Sequence, residues 1–315
     1  MCMISIVIPV YNSEACLPEL CIRIQEQVLF PYELILVDDH SQDRSWQVIT
    51  SLTSRFPELT GIHLRKNSGQ DNAIMAGLAN ARGEYVVIMD DDLQHSPADI
   101  PRLIEACQQG YDVCFGRYRE FHQSWWKKAG SSFNGLFARI FLGKPHDIYL
   151  SPFKVIHRDL VREILSYKGP YPYVDGLILA FTSSMVQIDI SHSPRYAGTS
   201  TYSLLKSIGV WSKHVTGFSV GPLRLATYGG IASFFVSILM SLFYLYRYFY
   251  SDQHLEGWIT LVCLILCIGG LNLMFLGIIG EYVGRSYLFL NSKPQYSIKT
   301  KVRSVSPGSE APPPD

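Results

Sequence analysis

Three consecutive aspartates, Asp90, Asp91 and Asp92, are the residues in this chain best suited to chemistry. They follow an apolar run, Tyr85–Met89, that is typical of a buried strand, and they precede Pro97, which suits the first turn of a helix. Three adjacent carboxylates repel one another, so a cation or a proton must compensate. Mg²⁺ and Mn²⁺ take oxygen ligands and bridge one or two carboxylates to a substrate phosphate. The triplet therefore predicts a divalent-metal and phosphate site, with a solvated acidic turn as the plain alternative.

The elements that position these aspartates alternate between strands and helices through the first half of the chain. Apolar runs of strand length begin at Ile4, Glu33, Gly61, Glu84 and Tyr111, and segments with helical spacing of apolar residues separate them. This alternation predicts a mainly parallel, doubly wound α/β sheet, in which ligands bind at the carboxyl ends of the strands. The sequence contains no G-x-G-x-x-G turn and no P-loop, which argues against a dinucleotide site.

Polar residues follow each of the five predicted strands. Carboxylates can accept hydrogen bonds from a nucleobase or a ribose, and arginine can hold a phosphate with two hydrogen bonds. A single loop Asp or Asn usually caps a helix or forms a turn, so the prediction rests on all five strand ends together. The ensemble predicts a nucleoside-diphosphate site. In chain order these residues are Pro9, Tyr11, Asn12 and Glu14; Asp38, Asp39 and Asp43; Asn67, Gly69 and Gln70; Asp90, Asp91 and Asp92; and Arg117 and Arg119.

Two long uncharged segments lie in the last third of the chain. Leu225–Tyr246 and Trp258–Gly280 are each long enough to cross a hydrocarbon core of roughly 30 Å, and aromatic residues cluster at their ends. Lysine and arginine flank the pair, whereas the connection Arg247–Gly257 carries a single arginine. We therefore predict a transmembrane helical hairpin with both flanks in the cytosol. Two buried helices of a soluble core are the alternative.

The sequence predicts five regions. Residues 1–202 form a cytosolic catalytic domain, 203–222 an amphipathic segment at the membrane surface, 223–247 and 258–280 the two spans, and 281–315 a cytosolic tail that is disordered toward its end. The N-terminus reads as a strand and not as a signal peptide. The 27 basic and 27 acidic residues balance, so nothing indicates nucleic-acid binding. The seven scattered cysteines fit a reduced cytosolic protein.

Four motifs in the first hundred residues resemble those of family 2 glycosyltransferases with the GT-A fold. They are Ile6–Asn12, Val37–Asp43, Asn67–Gln70 and Asp90–Gln94. Two later segments are similar to the R-x-x-G-x-S-K-Y and G-E-Y-x-G-R segments of the polyprenyl-phosphate glycosyltransferases within that family; they are Arg195–Tyr202 and Gly280–Arg285. The resemblance covers nearly the whole chain.

The resemblance implies an inverting, metal-dependent transfer of a sugar from a UDP- or GDP-linked donor to undecaprenyl or dolichyl phosphate. It implies Mg²⁺ or Mn²⁺ as the cofactor, a multi-pass protein of the cell (inner) membrane, a Rossmann-like GT-A domain, and a homo-oligomer. By residue, it implies metal and diphosphate roles for Asp90, Asp92 and Gln94; a nucleoside pocket at Pro9, Tyr11, Asp38 and Asp39; a phosphate contact from Arg117 or Arg119; and an acceptor-phosphate loop at Arg195 and Ser200. The strand-end pattern adds Glu14, Asn67, Gly69, Gln70 and Asp91 to the donor site, and Tyr202 and Lys206 join the acceptor side.

The chain departs from the family pattern at three places. Ser13 stands where the family usually has Glu, so either Glu14 substitutes or base recognition differs. Thr201 stands where the family has Lys, which removes a cation from the acceptor region. The segment Asp147–Lys154 lacks the usual D-x-G-x-F-R motif, which leaves any role of Asp147 open.

Two other functions compete with sugar transfer to a lipid phosphate. A processive polysaccharide synthase needs a Q-x-x-R-W segment and more spans, and neither occurs in the sequence. A non-catalytic membrane scaffold would not need the intact acidic triplet.

A lipid monophosphate is already largely anionic at neutral pH, so as a nucleophile it needs positioning more than a general base.

Overall fold

The computed structural model describes residues 3–118, 148–190, 221–250, 257–291 and 293–303. The chain forms two compact units, one of residues 1–201 with 292–315 and one of residues 202–291. The sheet and the acidic triplet belong to the first unit, and two long apolar helices form the described part of the second.

The first unit is built on one eight-stranded sheet with the order β7-β5-β6-β4-β1-β2-β3-β8. Six strands run in the same direction, whereas β6 and β8 run antiparallel to their neighbours. The predicted, mostly parallel sheet is therefore confirmed. The strands are β1 Ile4–Val10, β2 Tyr32–Asp38, β3 Leu59–Leu64, β4 Tyr85–Ile88, β5 Val113–Tyr118, β6 Lys154–His157, β7 Met185–Ile190 and β8 Ile298–Arg303.

Helices cover both faces of this sheet, which is why the strands are apolar along their whole length. On one face, Ile4, Ile6 and Ile8 of β1 join a core that includes residues of α1, α2 and α4. On the other face α3 packs so close that a Cβ on its Gly77 would lie 2.2 Å from Cγ1 of Val7. The helices are α1 Leu17–Gln27, α2 Ser45–Leu52, α3 Gln70–Asn80, α4 Ile100–Gln108, α5 Arg158–Ser166 and α6 Val174–Phe181.

The end of the sheet where β1 to β4 finish is called the carboxyl edge below. Strands β5 and β7 also end there, and the antiparallel strand β8 begins there, because Ile298 pairs with Leu64 at the end of β3. The sequence predicted only a tail after the second apolar helix. The structure instead returns residues 298–303 to the eight-stranded sheet as an edge strand.

The second unit contains α7, Gly221–Tyr250, and α8, Trp258–Leu290. The two helices approach each other where a Cβ on Gly229 would lie 3.6 Å from Cζ of Phe275. Within the described residues, one stretch of α8, Cys267–Leu290, is long and apolar enough to cross a membrane, and α7 carries a shorter apolar stretch, Thr227–Met240. Helix α7 is longer than its predicted span at both ends, whereas α8 begins at the predicted residue and continues ten residues further.

Candidate active site

The chain turns sharply at the carboxyl edge after each of the first four strands. The residue at each turn has a positive φ: Asn12 at 55°, His40 at 60°, Gly69 at 94° and Leu93 at 62°. Residues other than glycine adopt this conformation rarely, and such residues cluster at functional sites, where the surrounding structure holds them. Four such turns on adjacent strands mark this edge as the candidate site.

The middle aspartate of the triplet points at the loop that follows β1. Oδ2 of Asp91 accepts hydrogen bonds from the Ser13 hydroxyl at 2.6 Å and from the Tyr11 backbone amide at 3.3 Å. Burial raises the pKa of Asp91, and these two hydrogen bonds oppose that rise. Asp91 therefore positions the first loop, and Ser13, the residue that departs from the family pattern, is its partner.

The outer two aspartates are held by different groups. Oδ1 of Asp90 accepts a hydrogen bond from the Gln70 side-chain amide at 2.8 Å, and its backbone amide donates to Nδ1 of His95 at 3.1 Å. Oδ1 of Asp92 accepts from the backbone amide of Gln94 at 3.1 Å, which closes a short turn. Asp90 and Asp92 are half-buried at this edge, and the Asp91 carboxylate is directed at the first loop.

The outer pair, Asp90 and Asp92, can supply only part of the ligand set of a divalent ion. Among the residues that the structure describes, no group of three or more His, Cys, Asp or Glu side chains is arranged to hold a metal ion. Mg²⁺ in nucleotide sites is nevertheless often held by one or two carboxylates, with water and substrate phosphates filling the other positions. Asp90 and Asp92 could serve as the carboxylate ligands of that kind of site.

The two aspartates at the end of β2, Asp38 and Asp39, stabilise the fold around the site. Asp39 accepts hydrogen bonds from the backbone amides of Ser68 at 2.6 Å and Gly69 at 2.8 Å, one on each carboxylate oxygen. Burial raises the pKa of Asp39, and these amides oppose the rise. Asp38 is fully buried, with Oδ2 2.5 Å from Nδ1 of His63. The predicted nucleoside contacts of both residues stay predictions, and the observed role of each is to fix neighbouring strands.

Glu14 and Asp43 join the loops after β1 and β2. The Glu14 carboxylate accepts from the Arg44 backbone amide at 2.8 Å, and the Asp43 carboxylate accepts from the Glu14 backbone amide at 3.2 Å. Asn12 Oδ1 also accepts from the backbone amide of Gln42, at 2.7 Å. In this structure the Glu14 side chain is thus directed at the start of α2.

The four loops consequently form a closed ring of hydrogen bonds. The first loop is bonded to the second through Glu14, the second to the third through Asp39, the third to the fourth through Gln70, and the fourth back to the first through Asp91. Sequence reasoning found these residue types but not the ring, because hydrogen bonds between loops depend on strand order. The loops thereby hold one another in place.

Two predicted donor-site residues are exposed and one is buried. Tyr11 is 48 % exposed at the carboxyl edge, and Asn67 is exposed in the loop after β3. Pro9 is buried inside β1, where it pairs with Val37.

Arg117 was placed after the fifth strand by the sequence, but it lies within β5. The apolar run that predicted this strand is followed by three more extended residues, because β5 pairs with β7 as far as Tyr118. Nε of Arg117 donates to Oδ1 of Asp189 on β7 at 2.7 Å, and this hydrogen bond raises the pKa of Arg117. The guanidinium keeps other N–H groups that can donate to a phosphate.

A second polar cluster, which the sequence reasoning missed, joins α3, β6 and α6. Lys154 is only 3 % exposed and is ion-paired with Asp175 in the first turn of α6. Oδ1 of Asp71 accepts from the Val174 backbone amide at 3.1 Å. Burial raises the pKa of Asp71 to about 6; Asp175 adds to the rise and Lys154 opposes it. The available signal was a lysine inside the apolar run that forms β6.

The remaining predicted site residues lie outside the described part of the chain, as does the amphipathic segment before residue 221. They are Arg119, Arg195, Ser200, Tyr202 and Lys206, together with Asp147.

Comparison with known proteins agrees with this fold. The family model "Glycosyl transferase family 2" matches residues 5–165. The chain is 33 % identical to the undecaprenyl-phosphate 4-deoxy-4-formamido-L-arabinose transferase of Aeromonas hydrophila, over 98 % of this chain and 96 % of that protein. The protein of the same name from Pectobacterium atrosepticum is 34 % identical over 96 % of this chain and 95 % of its own length.

Solved structures show the same fold at lower identity. Glucosyl-3-phosphoglycerate synthase from Mycobacterium tuberculosis, in complex with uridine diphosphate, superposes with a TM-score of 0.52 at 18 % identity, covering 70 % of this chain and 79 % of that one. The fold and the strand-end site define an α/β transferase with GT-A architecture. The chain belongs to glycosyl transferase family 2, as its motifs predicted, and it is a glycosyltransferase.

Proposed function

We propose that this enzyme transfers a sugar from a nucleotide diphosphate to a polyprenyl phosphate, with undecaprenyl phosphate as the first candidate acceptor. The observation that carries the proposal is the similarity along 98 % of the chain to a relative named for that acceptor. The matched region includes the two apolar helices as well as the catalytic unit. The sugar in the relatives' name, 4-deoxy-4-formamido-L-arabinose, is the first candidate for the transferred group.

The donor diphosphate binds at the carboxyl edge in this proposal. Asp90 and Asp92, with Gln94, would hold Mg²⁺ or Mn²⁺, which when bound offsets the negative charge on the leaving diphosphate. Gln70 keeps the Asp90 carboxylate oriented through a 2.8 Å hydrogen bond. Asp91 is already directed at the first loop and does not ligate the ion.

The acceptor's phosphate approaches from the membrane side. Its oxygen is largely anionic at neutral pH, so the protein must bring it in line with the anomeric carbon, and direct attack inverts that centre. Arg117 or Arg119 contacts phosphate in this scheme, and Arg195, Ser200, Tyr202 and Lys206 hold the acceptor's phosphate.

The position of β8 supports a membrane hairpin. Strand β8 lies in the same sheet as β1 to β7, so the chain crosses any membrane an even number of times between Ile190 and Ile298. One helix, α8, contains a stretch that can span a bilayer. If α8 crosses the membrane, the chain needs a second crossing to return to the same side. Helix α7, with its apolar stretch Thr227–Met240, supplies that crossing. We therefore place both flanks of the pair, and the catalytic unit, in the cytosol, as the excess of flanking Lys and Arg indicates.

A transfer assay tests this function. Membranes containing the full chain and undecaprenyl or dolichyl phosphate are incubated with radiolabelled UDP- and GDP-linked sugars, including the formamido-arabinose donor, with and without a chelator. We expect label in the lipid extract, strongly reduced by the chelator and restored by Mg²⁺ or Mn²⁺. Absence of lipid-linked label with every donor would refute the proposed reaction, and label that is insensitive to chelation would refute the metal's role alone.

A further inference from the structure

A short segment, Lys293–Ser297, carries the chain from α8 back into the sheet, and we call it the strap. The side-chain amide of Gln295 donates to the carbonyl oxygens of Tyr167 and Gly169, at 2.9 Å each. The backbone amide of Arg65 donates to the carbonyl oxygen of the last strap residue at 2.8 Å. The strap is thus fastened at two points, and it joins β8 at the carboxyl edge.

Exposed cations accumulate on the strap and on the segments that it contacts. Lys299 lies in a β-bulge, because His63 pairs with Thr300 and Leu64 with Ile298, so Lys299 has no partner in the ladder. Bulges at sheet edges redirect a side chain. Within the described residues, no salt bridge involves any of these cations. The set, called the basic rim, consists of Arg65, Lys66, Lys168, Lys293 and Lys299.

We propose that the basic rim binds the headgroups of acidic membrane lipids. The inference rests on the proposed function in one respect, namely that α8 lies in a bilayer. Lys293 follows Leu290, the last residue of α8, by three positions, so the chain keeps it within about 11 Å of the helix end. The rim also draws on Arg65, Lys66 and Lys168, which are far from α8 in sequence and reach the strap only through the fold.

The chemistry favours a lipid surface over a single small anion. The rim cations are exposed and come from three separate segments of the chain, whereas a built anion site would enclose its ligand among buried polar groups. Each lysine or arginine near an acidic bilayer strengthens binding by about fivefold, and salt screens the effect. Engagement of the rim brings the carboxyl edge, with the acidic triplet, toward the headgroup layer where a lipid phosphate lies.

Hydrogen exchange of the full chain in lipid nanodiscs tests the proposal. Exchange of the strap, of residues 298–303 and of the β3 end is compared between neutral discs and discs with about 30 % acidic lipid. We expect at least about threefold slower exchange in the acidic discs, and we expect the difference to vanish near 0.5 M salt. Equal exchange in both kinds of disc overturns the proposal.

A pair of charge-matched variants identifies the residues responsible. The rim variant should lose the lipid dependence, and the control variant, with equal charge removed elsewhere on the sheet unit, should keep it. Retention in the rim variant, or equal loss in the control, contradicts the assignment. The rim variant is Arg65→Gln, Lys66→Gln, Lys293→Gln and Lys299→Gln; the control is Arg23→Gln, Arg55→Gln, Arg82→Gln and Arg162→Gln.

The transfer assay in the same discs separates this inference from the proposed function. Sugar transfer without lipid-dependent protection rejects the rim and leaves the enzymatic function standing. Lipid-dependent protection without transfer to any polyprenyl phosphate supports the rim and rejects the proposed enzymatic function.

Discussion

Replacing Asp71 by Asn should stabilise the protein at neutral pH. Asp71 lies in the first turn of α3, where burial and the nearby Asp175 disfavour its charged form. Its Oδ1 accepts a hydrogen bond from the Val174 backbone amide at 3.1 Å. Asn keeps an acceptor oxygen at that place and removes the charge. The ion pair between Lys154 and Asp175 is left in place.

The size of the effect follows from the pKa of Asp71. A rise from 3.8 to about 6 costs about 3 kcal/mol of folding free energy when the group is charged, at about 1.4 kcal/mol per pKa unit. An amide oxygen accepts a hydrogen bond less strongly than a carboxylate, which offsets about 1 kcal/mol of the gain. The net gain is about 2 kcal/mol, or about 4–8 °C in Tm for a unit of this size.

The pH dependence has a definite sign. A carboxyl group with a raised pKa in the folded state favours folding below pH 3.8, and that contribution is lost as the pH rises through about 6. The advantage of Asp71→Asn should therefore be absent near pH 4 and complete above about pH 7. Thermal unfolding of the full chain in detergent at several pH values measures it.

Two outcomes would refute this reasoning. One is a variant that is no more stable than the unaltered protein at pH 8, and the other is a gain that does not change with pH. Glu105→Gln, which removes an exposed charge from α4, is the matched control and should shift Tm little at any pH.

Three further substitutions probe the site and its supports. Asp92→Asn should lower transfer by about 100-fold or more without changing Tm, since it removes a proposed metal ligand; unchanged transfer would contradict that role. Gln70→Ala removes the 2.8 Å hydrogen bond to Asp90 and should raise the Mn²⁺ concentration for half-maximal activity about fivefold, equivalent to about 1 kcal/mol; an unchanged titration would speak against it. His63→Ala leaves Asp38 buried without its 2.5 Å partner and should lower stability by about 1–3 kcal/mol, measured by thermal unfolding.

The sequence predicted the parts of the fold that depend on local pattern. The first strand begins at Ile4 in the structure as in the prediction, and the predicted start of the second, Glu33, lies one residue inside β2. The mainly parallel order follows because each predicted strand is separated from the next by a helix. The site's location followed as well, since parallel strands end at one edge.

The parts that depend on distant pairing were not predicted. Strand β8 follows the apolar helices, and its alternating pattern, Ile298, Thr300 and Val302 against cations, resembles an ordinary basic flank after a membrane span. Its partner β3 lies far away in the sequence, so only tertiary structure assigns it. The burial of Lys154 has the same origin, because its partner Asp175 belongs to a helix that the sequence did not predict.

The ring of loop hydrogen bonds gives several predicted donor-site residues a structural role that residue type alone does not reveal. A carboxylate at a strand end can bind a ligand or can fix the neighbouring loop, and sequence does not separate these roles. In the structure Asp39 and Asp91 accept hydrogen bonds from adjacent loops, as does Glu14. These bonds hold the four loops to one another, so the positions of the residues at the carboxyl edge depend on the ring. Disruption of the ring at Ser13 or Asp39 should therefore weaken donor use even where neither side chain contacts the nucleotide.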